Sequence, residues 1–184
     1  MREAEESLLT AIRIYRDRDE PMYHLGALCE LGGVVHDQGR LAEAASLYDE
    51  AERVIRSRLG PTHPWLISVH TGLARTHEEA GDVELANRNF AAAVELATRH
   101  YGSTHHHSVW KMSDFALFLV KHGELQVAKD ACKEFERALT VGEQKSAAQE
   151  PSFETSVWEI HRRRLRDINR KLKDRAESPS RPPE

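Results

Sequence analysis

Three glycines, Gly39, Gly81 and Gly123, stand 42 residues apart, and the residues around each keep the same order. Five places on lie Ala44, Ala86 and Ala128, and nine places on lie Tyr48, Phe90 and Cys132. Twelve places on, Ala51 and Ala93 give way to Phe135. Before each glycine comes a large apolar residue followed by a small one: Leu31-Gly32, Leu73-Ala74 and Phe115-Ala116. A second signature has the same period, Leu-Gly-Pro-Thr-His-Pro at 59–64 and Tyr-Gly-Ser-Thr-His-His at 101–106. Repetition at this spacing constrains the fold strongly, because each unit is one supersecondary element that buries its apolar face only against its neighbours.

The residue types make that element a helix, a tight turn and a second helix. Glycine ends the first helix, where a left-handed residue closes the C-cap without steric cost. Gly32, Ala74 and Ala116 let paired helices approach, Ala44, Ala86 and Ala128 do so from the other side, and Tyr48 and Phe90 fill the space between hairpins. Pro64 and Ser108 stand where the next first helix begins, proline suiting a first helical position and serine an N-cap. Ala, Leu, Glu and Arg are abundant beside only 10 Gly and 7 Pro in 184 residues, which favours helix throughout.

Together the Leu/Phe–Gly/Ala pair, the turn glycine and the Ala, Tyr/Phe and Ala after it resemble a tetratricopeptide repeat. The 42-residue period and the Gly-Pro-Thr-His-Pro link resemble the longer, kinesin-light-chain-like kind, over roughly residues 22–142. Cys132 and Phe135 depart from the pattern, so repeat three is expected to pack differently, and its exit loop, Gly142 to Ser152, lacks the link altogether. The resemblance implies an all-α fold, a right-handed α-solenoid of antiparallel helical hairpins with a C-terminal capping helix. The divisions are an N-terminal half-hairpin (1–20), repeats at 21–62, 63–104 and 105–146, a capping helix at 153–175, and a tail at 176–184 disordered by composition.

Residues 4–17 read as the second helix of a hairpin whose first helix is missing, with Ala4, Leu8, Ala11 and Tyr15 as its inward stripe. A natural half-repeat and a piece cut from a longer array both fit, and the second is favoured. At the other end Trp158, His161, Leu165, Ile168 and Leu172 are spaced three, four, three and four, an apolar seam that either covers the last hairpin or mediates self-association. From 154 to 175 there are eight Lys/Arg against four Asp/Glu. The run Arg162-Arg163-Arg164-Leu165-Arg166 reads first as a solvated helix face and second as a site for an acidic partner, RNA or anionic lipid.

Catalytic and metal chemistry find little support. The chain has no nucleophile-and-base set, phosphate-cradling glycine loop or HExxH, and Gly32-Gly33 lies inside a helical pattern as a packing device. Of the 11 histidines, His105-His106-His107 is the densest group, with His100 before it. Three consecutive residues entering a helix point in different directions, whereas zinc wants about four converging ligands. A structural role is the better reading there, and His70 and His77 read as packing residues. No cofactor and no metal are expected.

What the resemblance adds is protein binding in a concave groove lined by the first helices. Counting along each, that face holds Cys29 and His36, then Ser68, Thr71, Arg75 and Glu78, then Trp110, Ser113, Asp114, Leu117 and Lys121. Trp110, five residues ahead of Phe115-Ala116, falls off the packed face and serves as the anchor, free of structural duty. Chaperone-tail binders of this family clamp a carboxylate with Lys and Asn, a set missing here, so an acidic C-terminal tail is not the ligand. The reading is a scaffold that binds a peptide segment of another protein. The alternatives are a regulatory or sensor module excised from a larger signalling protein, or RNA or anionic-lipid binding by the basic C-terminal helix. Two isolated cysteines suit a reducing compartment, and no apolar run approaches the roughly 18 residues of a membrane span. The expected location is cytoplasmic.

Overall fold

The structure is a computed structural model and describes residues 2–18, 20–149 and 155–177. Eight helices and no strand occur among them: α1 (Arg2–Asp17), α2 (Pro21–Asp37), α3 (Leu41–Arg58), α4 (Trp65–Glu79), α5 (Val83–Tyr101), α6 (His106–Lys121), α7 (Leu125–Gln149) and α8 (Thr155–Glu177). They form two compact units, Met1–Leu96 and Ala97–Glu184, with the boundary inside α5. The all-α hairpin architecture is the one the 42-residue period predicts.

The turn glycines act as the sequence implies. Gly39, Gly81 and Gly123 have φ of 76°, 83° and 83°. After each, the next amide reaches back five residues: Arg40 N to Val35 O (3.1 Å), Asp82 N to His77 O (2.9 Å) and Glu124 N to Leu119 O (3.0 Å). That is a Schellman closure made three times.

The links between hairpins are built differently from the expectation. Ser108 is not a cap; it lies inside α6, completely buried. Pro64 sits just before α4, in the capping position itself. Capping falls to the link histidines: Nδ1 of His63 accepts from Trp65 N at 3.3 Å, and Nδ1 of His105 accepts from His107 N at 3.3 Å. Extended backbone at His105 (φ −76°, ψ 141°) lets its ring fold back over the helix start and satisfy an orphan donor.

In the first unit α2 packs on α3, α3 on α4, and α1 on α2. Leu25, Leu28, Leu31, Val35, Ile55, Leu66 and Val69 build the core around Tyr48, with Leu8 and Ile12 of α1 against it. Leu8, Ala11 and Tyr15 of the expected α1 stripe are half-buried, but Ala4 is exposed. Tyr48 is wedged between α2 and α4: a Cβ on Gly32 would lie 2.9 Å from its ring, and one on Gly72 would also collide with it. The close approach at Gly32 is therefore an approach to a ring.

In the second unit α6 packs on α7, and α8 packs on both. The irregularity at repeat three resolves into a shift of one helical turn. Cys132 is buried and its thiol is pushed up to about 11, chiefly by burial. The aromatic bulk comes from Phe135, fully buried three residues later. The exit segment is not a loop from Gly142, because α7 runs on to Gln149. Gly142 lies within that helix, where an added Cβ would come within 2.5 Å of both Thr104 O and the Trp158 ring. The small residue serves close packing there and breaks nothing. Residues 178–184 of the expected tail lie outside the described residues, and Ala176 and Glu177 belong to α8.

Candidate protein-interaction surface

In the first unit, α4 buries Leu66, Ile67, Val69, His70, Leu73, Ala74 and Thr76. This leaves an opposite side with Ser68 and Arg75 exposed and Thr71 and Glu78 half-buried. The Thr71 hydroxyl donates to Ile67 O at 2.7 Å, which ties it to its own helix. His70 is a packing residue as read, buried and 2.8 Å from Asn89 Oδ1.

On α2, Cys29 is half-buried, and burial, with Glu30 nearby, pushes its thiol up to about 11, so it stays a neutral thiol. His36 does not stand on the open face assigned to it. It is buried, with Nδ1 3.3 Å from Asp37 Oδ1 and Nε2 3.5 Å from Glu79 Oε2.

In the second unit, Ser113 is likewise not on the open face. It is completely buried, its hydroxyl donating to Trp110 O at 2.7 Å, because it falls on the packed side of α6. Lys121 is exposed, and Asp114 and Leu117 are half-buried. Trp110 keeps 39% of its surface but is no free aromatic. His161 meets its ring edge-on at 5.5 Å between centroids, and the Arg164 guanidinium lies 4.6 Å from its centroid. Asp114 is paired with the same guanidinium and with Lys111 at 3.5 Å.

Register explains why α8 sits there. Counting back 84 residues from Trp110 gives Gly26, and a Cβ on Gly26 would lie 3.7 Å from the Trp65 ring of the following first helix. So this is the position where one first helix meets the next, and α8 occupies the place of a fourth first helix. Its seam is covered: Trp158, His161, Leu165, Ile168 and Leu172 are all buried. Of the basic run, Arg162 makes a two-pronged pair with Glu143 (2.6 and 2.7 Å); near the end of the helix, Arg175 donates to Lys121 O at 2.7 Å. Only the seam was legible from the sequence. Glu143 and Asp114 as anchors for α8 carried no periodic signal.

The sequence pattern of the tetratricopeptide repeat family matches residues 23–99. Over that stretch the chain carries tetratricopeptide repeats. Solved tetratricopeptide structures share the fold. A Podosopora anserina protein described as a kinesin light chain with nearly identical TPR-like repeats aligns with a TM-score of 0.64 at 17% identity, over 96% of this chain and 88% of that one. BtubC (BKLC) from P. vanneervenii aligns with a TM-score of 0.62 at 17% identity, over 92% of this chain and 69% of that one. No curated protein matches the sequence. Tetratricopeptide repeats mediate protein–protein interaction, and no described helix is long and apolar enough to cross a membrane.

Proposed function

We propose that this chain is a scaffold that binds a peptide segment of another protein along the faces of its first helices. The observation that carries the reading is the two-sidedness of α4, which buries one side and offers Ser68, Thr71, Arg75 and Glu78 on the other. These polar groups of both charge signs suit a mixed peptide and present no set for phosphate backbones. In the second unit, taken by itself, α6 carries Trp110, Asp114, Leu117 and Lys121 at the corresponding repeat positions. Because α8 engages Trp110 and Asp114, binding there competes with or builds upon the cap. Arg162 and Arg164 are committed to Glu143 and Asp114, which weighs against the basic helix as the primary site for RNA or lipid.

The test is selection of binders from a random peptide library, followed by titration against wild type and against Ser68→Arg with Arg75→Glu. A loss of at least about tenfold, with an unchanged melt, supports the groove. Selected peptides that bind both proteins equally overturn it. A steep salt dependence abolished by Arg163→Gln with Arg166→Gln would move the site to α8.

A further inference from the structure

The inward seam of α8 contains a titratable group that packing alone does not require. His161 is completely buried, 5.5 Å from the Trp110 ring and 5.8 Å from the Trp158 ring between centroids. Among the described residues neither Nδ1 nor Nε2 has a hydrogen-bond partner. A neutral imidazole is tolerated between aromatic rings, but an imidazolium has two donors and a charge to satisfy.

Among the described residues, His106 of α6 and Arg164 of α8 add positive charge beside it. Two carboxylates of the facing helices already have partners, Asp114 of α6 with Arg164 and Lys111, and Glu143 of α7 with Arg162. Glu159, on α8 itself, is exposed.

We infer that α8 is a proton-sensitive cap: protonation of His161 weakens the seating of the helix on α6 and α7 and favours uncovering the face bearing Trp110 and Asp114. The detachment stands on the geometry of the seam, and only its consequence for ligand binding rests on the function proposed above.

The direction follows from linkage. Burial first, then Arg164 and His106, hold the docked imidazole down to about 4 from an ordinary 6.5. A histidine whose docked value is depressed contributes fully above its free value. It loses that contribution as pH falls below about 6.5 and levels off below about 4. At about pH 5 the docking equilibrium is weakened about 30-fold relative to about pH 7.5.

The experiment is amide hydrogen exchange on the full chain between about pH 7.5 and pH 5, with each rate referenced to its intrinsic value at that pH. The expected result is that protection of α8 falls about 30-fold relative to α4, and that His161→Phe holds the two in step. His161→Leu serves as a second non-titrating variant should Phe fit poorly. Acid also neutralises carboxylates, so the variants separate His161 from the Arg162–Glu143 and Arg164–Asp114 pairs. If wild-type α8 tracks α4 over the whole range, the inference is overturned. It is equally overturned if both variants reproduce the wild-type loss. Exchange that behaves as expected while selected peptides fail to bind at any pH would sink the groove and leave the cap intact.

Discussion

The guanidinium of Arg164 stacks over the ring of Trp110, 4.6 Å from its centroid, and the same guanidinium is paired with Asp114. One side chain of α8 thus holds an aromatic face and a carboxylate of α6, so both contribute to the cap. A double-mutant cycle between Trp110→Ala and Arg164→Ala is expected to give a coupling energy of about 1 kcal/mol in denaturant unfolding. Arg164→Lys should not restore it, since an ammonium lacks the planar fork. Additive effects within error would show that the stacking contributes nothing.

Gly142 is predicted to be irreplaceable for a reason local to the second unit. Its missing Cβ is the space occupied by the Trp158 ring and Thr104 O, each at 2.5 Å. Gly142→Ala should destabilise by about 1–3 kcal/mol despite the better helix propensity of alanine. A stabilised variant, judged by thermal melt, would mean that α8 lies elsewhere.

Core substitutions should rank by where the aromatic bulk sits. Phe90 is 5% exposed and Phe135 fully buried, so truncating either to alanine should cost about 3–5 kcal/mol. Cys132→Ala removes one sulfur atom and should cost about 1 kcal/mol. Chemical denaturation of the three variants checks the order. A Cys132→Ala cost equal to that of Phe135→Ala would contradict the shift of bulk by one turn.

The helix starts offer a smaller effect. His63→Ala removes the Nδ1 acceptor for Trp65 N and should cost about 0.5–1 kcal/mol, with His105→Ala costing a similar amount. Asparagine at either position should recover part of the loss, because its carbonyl can take the same amide. Melts unchanged for the alanine variants would show the caps to be incidental.

The period revealed the hairpins because turn glycines and packing alanines answer to backbone geometry, which repeats. It was less informative wherever a residue answers to a unique neighbour. Gly142 resembles a helix breaker in sequence, yet it is a clearance for Trp158. Ser108 has the composition of a cap and is buried within α6, because a histidine three residues earlier already does the capping. Trp110 keeps part of its surface exposed, but no spacing rule reveals which helix comes to lie beside it. Ser113 and His36 are buried, because at 3.6 residues per turn counting three or four along a helix does not decide on which side a residue at the edge of a face falls.

Tyr48 has a consequence for the geometry of the first unit. Its ring stands between Gly32 of α2 and Gly72 of α4, two positions without side chains of their own. The separation of those helices is therefore gauged by the thickness of one aromatic ring, as a shim sets the gap between two plates. A shorter filler such as leucine would not reach between the two glycines, and an alanine at either glycine would collide with the ring. Whatever spacing a ligand meets between the first two hairpins is set by this ring.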